Sequence, residues 1–275
     1  MDNQAILAAS SRTKEMNDMS LSSNFDEFVE GNLGIRSNIG VILPTYCEAA
    51  HIEKLIGEIE NLDLNISILV IDDSSPDGTA DAVRKLQAKY PKILLRVRPQ
   101  KSGLGTAITD GFKIFLSLRK PPKYIITMDA DYSHNPKDIP RIMMPLKKGF
   151  DLIIGSRYCD GGGTIEWSPV RLAISKIANF IASSLIGEKI SDYTSGLRCY
   201  SLKLVRNIIC DLHSETYEIQ IETIRQSHLR KFMIGEVPIT FTGRKIGKSK
   251  LRFNEITQFV SYIFLKAILE HQHKP

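Results

Sequence analysis

Ile125-Ile126-Thr127-Met128-Asp129-Ala130-Asp131 is an apolar run that stops at two carboxylates one residue apart. Taken from Tyr124, the run has the length and composition of a short strand buried on both faces. At a strand end the chain can bend so that both acidic side chains converge on one point. Two carboxylates so placed repel each other unless a cation sits between them. Hard oxygen ligands of this kind suit Mg²⁺ or Mn²⁺ bridging a diphosphate. A lone D-x-D could instead merely end a strand and cap the next helix, so the surrounding chain has to decide.

Three comparable runs precede it, at residues 39–43, 66–71 and 93–97, and one follows at 152–154. Between them lie segments of helical length and pattern at 52–62, 79–89 and 106–118. This alternation specifies an α/β fold with a mostly parallel central sheet and helices on both faces. Ligands in such sheets bind at the carboxyl ends of the strands. Further on, Gly161-Gly162-Gly163 opens a loop with Trp167 and Pro169, and residues 170–186 read as an amphipathic helix. In that helix Ile174, Ile177, Ile181 and Leu185 share one face, while Arg171, Ser175, Asn179 and Ser183 share another. A strand at 197–201, helices at 202–209 and 218–231, and a strand at 233–241 with Pro238 marking an edge complete the body.

Two other strand ends carry chemistry. Asp72-Asp73-Ser74-Ser75-Pro76-Asp77-Gly78 follows the second strand. One acid at such a place is a familiar partner of a ribose hydroxyl, and Asp73 is the candidate; the Ser-Pro-Asp-Gly tail is turn chemistry that starts a helix. The first strand ends in Pro44-Thr45-Tyr46-Cys47-Glu48. Tyr46 can pack on a base. Glu48 either accepts from a base or ribose, or is an early helix acid favoured by the dipole. Gly103-Leu104-Gly105-Thr106-Ala107-Ile108 is not a dinucleotide fingerprint, because it does not follow the first strand and Ile108 replaces the third glycine.

The bulk properties set limits. The chain has 275 residues, 36 Lys plus Arg against 31 Asp plus Glu, and a net charge of +5. Arg244, Lys245, Lys248, Lys250 and Arg252 cluster late. Cys47, Cys159, Cys199 and Cys210 form no C-x-x-C pair and no zinc spacing, which fits a reducing compartment. No phosphate loop and no nucleophile elbow is present, and no nucleic-acid partner is implied. The N-terminus lacks signal-peptide character, and no stretch reaches the ~20 apolar residues of a membrane span. Residues 1–36 read as a mobile extension, 37–252 as the catalytic domain, and 253–275 as an amphipathic helix for membrane or partner docking. Ile256, Phe259, Val260, Ile263 and Phe264 align on one face of that helix.

Pro44-Thr45-Tyr46-Cys47-Glu48, Asp72 to Thr79, Gly103-Leu104-Gly105-Thr106-Ala107, Asp129-Ala130-Asp131 and Gly155-Ser156-Arg157-Tyr158, in this order, resemble the dolichol-phosphate mannosyltransferases of glycosyltransferase family 2. The likeness continues through Asp192-Tyr193-Thr194-Ser195-Gly196, Gly235-Glu236-Val237-Pro238-Ile239 and Arg244 to Leu251, so it spans about residues 38–265. It implies the GT-A (Rossmann-like) nucleotide-diphospho-sugar transferase fold and inverting transfer of mannose from GDP-mannose to a dolichyl or polyprenyl phosphate. A polyprenyl-phosphate glucosyltransferase, or another family 2 enzyme using a UDP-sugar, is the alternative. By the same resemblance Pro44, Tyr46, Glu48, Ile71, Asp73 and Asp129-Ala130-Asp131 line the nucleotide-sugar site, and Asp129 and Asp131 hold Mg²⁺ or Mn²⁺. Arg157, Arg171, Ser175, Arg244 and Lys250 meet the acceptor phosphate. Cys47 departs from the family's frequent Asn, and Ser133 from a Gln that serves the metal in some members. The implied setting is peripheral, on the cytosolic face of a membrane: the endoplasmic reticulum in a eukaryote, the plasma membrane in a prokaryote. A small membrane-embedded partner, as in the short members of the family, is part of the same implication.

Overall fold

The computed structural model describes residues 28–243. A seven-stranded sheet forms the middle layer, in the order β3-β2-β1-β4-β7-β5-β8. Its strands are β1 (Ile39–Thr45), β2 (Ile66–Asp72), β3 (Ile93–Val97), β4 (Tyr124–Thr127), β5 (Leu152–Ser156), β7 (Arg198–Ser201) and β8 (Ile234–Pro238). All are parallel except β7, which runs antiparallel to both β4 and β5. All seven residues of β2 are buried, as expected of a strand covered on both faces.

The helices divide between the faces. α1 (Ala49–Glu60), α2 (Thr79–Lys89) and the short α4 (Ile139–Met143) pack on one side through Ile52, Leu55, Val83 and Ile139. α3 (Leu104–Ser117), α6 (Leu202–Ile208) and α7 (Ile219–Leu229) cover the other through Phe112, Phe115, Leu204 and Ile224. The chain works outward from β1 to β3 and then returns to β4 on the other flank of β1, so the sheet's switch point lies between β1 and β4. The register pairs Ile42 with Thr127 and Thr45 with Asp72. That brings Pro44–Tyr46, Asp73 and Asp129–Asp131 to one edge of the sheet.

Beyond β5 the chain departs from the expectation. The glycine loop contains a strand, β6 (Gly163–Ile165), which pairs in parallel with β9 (Thr240–Thr242). The single strand expected over 233–241 is therefore two, divided at Ile239. Pro238 sits on the edge strand β8 as anticipated.

α5 (Pro169–Ile186) starts at Ser168, whose side chain accepts from the Arg171 N–H at 3.2 Å, and ends at left-handed Gly187. Its amphipathic character is inverted relative to a core helix. Asn179 and Ala182 are its buried residues. Asn179 accepts from the Tyr193 N–H at 2.5 Å and donates to the Thr194 hydroxyl at 3.3 Å, so the polar face is pinned to the body. Val170, Ile177 and Phe180 are 68%, 59% and 73% exposed. By length and composition this 18-residue helix is long and apolar enough to cross a membrane, yet it carries Arg171, Lys176 and Asn179 and falls short of the ~20 apolar residues of a span.

Residues 28–36, assigned by sequence to the extension, are docked. Glu30 bridges Leu95 through N···O contacts of 2.8 and 3.0 Å and pairs with Arg84, and Ile35 is buried. The rest of the extension, the basic run with Arg244 and Lys250, and the terminal helix lie outside the described residues.

Candidate active site

A cavity of about 1100 Å³ opens at the carboxyl edge of the sheet. It collects Pro44, Tyr46 and Glu48 from the end of β1, Asp73 from β2, Asp129, Ala130 and Asp131 from β4, Arg157 from β5, and Arg171 and Ser175 from α5. Among the described residues, these are the ones singled out from the sequence, with one exception. Ile71 points into the core, fully buried against the α3 face, and does not line the cavity. The inward half of β2 is packing surface up to its last residues.

The strand ends are cross-braced. Asp72 is fully buried and accepts from the Thr45 and Ser75 hydroxyls at 2.8 and 2.6 Å, which ties β1 to β2. Asp77 accepts from the Thr79 hydroxyl at 2.6 Å and the Ala49 N–H at 3.0 Å, holding the starts of α2 and α1 together. Both acids brace the fold; for Asp77 this agrees with the turn chemistry of its segment. Asp73 is engaged too: Arg98, itself buried, binds it, and the Ser102 and Gly103 N–H groups reach its second oxygen at 3.3 Å. Arg98 also donates to the Gly103 carbonyl at 2.8 Å. Asp73 thus shapes the turn into α3 that walls the cavity, and Lys101 on that turn lies 4.2 Å over the Tyr46 ring.

At the D-x-D, the Ser133 hydroxyl and N–H both bind one oxygen of Asp131. Gly196 presses against Asp129: a methyl group there would stand 2.8 Å from its Oδ1. His134 is fully buried, neither ring nitrogen has a hydrogen-bond partner, and its Nδ1 is 3.7 Å from Asp129 Oδ2. Burial lowers its pKa against the pull of Asp129 and Asp131, so it is neutral near pH 7. Two carboxylates lining one cavity, one bound by Ser133 and the other seated against Gly196 and His134, are hard oxygen ligands of the kind a divalent cation takes.

Arg157 is 7% exposed and held by Asp192, which accepts from its Nε and Nη2 at 2.7 Å each and from its N–H at 3.0 Å. Thr194 takes a further bond from Nη2 at 2.6 Å. Burial alone would raise the Asp192 carboxyl, but the Arg157 charge and the surrounding N–H donors outweigh it and hold it below the ordinary range. The pair leaves Nη1 as the nitrogen turned away from Asp192 and Thr194. Ser175, one turn beyond Arg171 on α5, accepts from the Tyr158 hydroxyl at 2.7 Å.

Arg98, His134, Trp167, Asp192, Gly196 and Phe241 have no role in the sequence reading. Asp192 and Gly196 lie in a stretch already quoted as a motif, but nothing local shows that Asp192 reaches back 35 residues to Arg157.

The comparisons agree with this geometry. Residues 40–209 match the model of glycosyl transferase family 2. The chain is 36% identical over 220 residues to the polyprenol monophosphomannose synthase of Mycolicibacterium smegmatis, covering 79% of this chain and 82% of the relative. It is 35% identical over 212 residues to the undecaprenyl-phosphate mannosyltransferase of Micrococcus luteus, covering 76% and 86%. Among solved structures, glucosyl-3-phosphoglycerate synthase from Mycobacterium tuberculosis, with Mn²⁺, UDP and phosphoglyceric acid, superposes with a TM-score of 0.62 at 18% identity over 87% of this chain and 80% of that one. The mannosyltransferase PcManGT of Pyrobaculum calidifontis, with GDP-Man and Mn²⁺, gives 0.57 at 15% identity over 96% and 75%. Those two share the GT-A fold. With the fold, the acidic strand ends and the matched span in agreement, the chain belongs to glycosyl transferase family 2.

Proposed function

We propose that this protein transfers mannose from GDP-mannose to a dolichyl or polyprenyl phosphate, with inversion, making a lipid-linked mannose donor. One observation carries the reading: a single cavity brings together the D-x-D carboxylates that follow β4 and the guanidinium groups of Arg157 and Arg171. The names of the two relatives of 36% and 35% identity support the sugar and the acceptor class.

The reaction suits these residues. An acceptor phosphate is ionised at neutral pH and needs no general base. Its oxygen attacks the anomeric carbon, the new C–O bond forms on one face, and the bond to the diphosphate breaks on the other. Asp129 and Asp131 would hold a divalent cation, Mg²⁺ or Mn²⁺, whose chemistry is to neutralise charge on the leaving diphosphate. Pro44, Tyr46 and Glu48 line the nucleotide end. Arg157, fixed by Asp192, and Arg171, with Ser175 beside it, align the incoming phosphate; the guanidinium fork matches phosphate oxygens. Arg244 and Lys250 complete the phosphate site in this proposal.

The acceptor's hydrocarbon tail requires a membrane surface. The exposed apolar face of α5, opposite the face that carries Arg171 and Ser175, suits peripheral docking on the cytosolic leaflet or on a small membrane-embedded partner. A donor panel with a prenyl phosphate tests the proposal. GDP-mannose should be used in preference to UDP-glucose; the reverse preference supports the glucosyl alternative.

A further inference from the structure

Trp167 is the only tryptophan of the chain, and its place is unusual. It lies between β6 and the Ser168 cap of α5, on the cavity wall. The Arg171 guanidinium sits 4.1 Å from its ring centroid and the Arg157 guanidinium 5.2 Å. Phe241 packs edge-on against the indole at 5.4 Å, and also lies 5.6 Å from the Arg157 guanidinium. The β6–β9 pairing, absent from the sequence reading, holds Phe241, and Trp167 follows two residues after β6.

Two guanidinium groups that must grip one phosphate repel each other before it arrives. Arg157 has Asp192 to hold it in place. Arg171 comes from the first turn of α5, and its guanidinium lies over the Trp167 ring. An indole face attracts a cation without neutralising it, unlike a carboxylate, so the charge remains available to the ligand.

We propose that Trp167 is a positioning residue: its ring holds Arg171 beside Arg157 as a preformed two-arginine clamp for the acceptor's phosphate group. The inference rests on the reading that these arginines receive that phosphate. It does not depend on which sugar is transferred.

The experiment uses the full chain and its single indole as the probe. Titration with farnesyl phosphate should change tryptophan emission, inorganic phosphate should do so more weakly, and farnesol should not. Arg171→Ala should remove the response. In transfer assays Trp167→Leu should raise the acceptor KM on the order of tenfold, with donor affinity kept, while Trp167→Phe retains most of the wild-type value. Leu and Phe fill the pocket comparably, so a purely structural role would make the two variants alike in KM and in melting temperature. The proposal is overturned if Trp167→Leu keeps the wild-type acceptor KM, or if prenyl phosphate leaves the emission unchanged while being glycosylated. Should no prenyl phosphate be glycosylated while phosphate ligands still move the emission through Arg171, the clamp stands and the transferase reading fails.

Discussion

Replacing Gly196 by alanine should disable the metal site while leaving the fold intact. The added methyl would stand 2.8 Å from Asp129 Oδ1 and 3.1 Å from Oδ2. Ordinary carbon–oxygen contacts are roughly 3.3–3.6 Å, so the carboxylate has to retreat by about 0.5 Å. A metal ligand tolerates displacement of only about 0.2 Å. Loss of a comparable supporting contact typically lowers metal affinity by about 10–100-fold. The backbone does not oppose the change, because Gly196 is not among the residues with positive φ. Stiffening the unfolded chain contributes about 0.4–1 kcal/mol in favour of the variant, offsetting much of the contact cost. The melting temperature should therefore stay within about 4 °C of wild type. Free Mn²⁺, followed by its paramagnetic resonance in the presence of GDP, gives the affinity; scanning calorimetry gives stability. A variant that binds Mn²⁺ like the wild type and transfers at the normal rate would refute the placement of the cation on Asp129.

Asp192→Ala should destabilise the protein by about 3–5 kcal/mol, because it strands a buried guanidinium; chemical denaturation measures it. Since the folded-state pKa of Asp192 is depressed, its stabilisation is complete above the unfolded value near about 4 and is lost as pH falls through the lower folded value; Asp192→Asn should flatten stability over that acid window. His134→Phe should keep or raise the melting temperature, since a buried imidazole without hydrogen bonds is replaced by a ring that packs on Phe241, yet it should weaken Mn²⁺ binding. Unchanged Mn²⁺ affinity in that variant would reduce His134 to packing.

Much of the fold is legible because buried parallel strands write themselves as unbroken aliphatic runs. The bounds of β3 and α2 coincide with those read from the sequence. The acidic strand ends are equally plain, since charge directly after such a run is conspicuous. What stays hidden is long-range. β7 is four residues long, and nothing in Arg198-Cys199-Tyr200-Ser201 says that it enters the sheet against its neighbours. The Arg157–Asp192 pair spans two loops. Ile71, which the family resemblance placed at the nucleotide, has its side chain packed in the core and does not line the cavity. α5 shows the limit of periodicity: the pattern fixes which residues share a face, but Asn179 decides which face turns inward.

The central claim is a metal-dependent single displacement onto a lipid phosphate, and the product's anomeric linkage tests it most directly. GDP-mannose, which carries an α-linked sugar, is incubated with a short prenyl phosphate and the product is examined by NMR. The expected result is β-linked mannosyl phosphate, formed with Mg²⁺ or Mn²⁺, abolished by excess chelator and nearly absent with Asp131→Asn. An α-linked product, or full turnover in chelator, would contradict it.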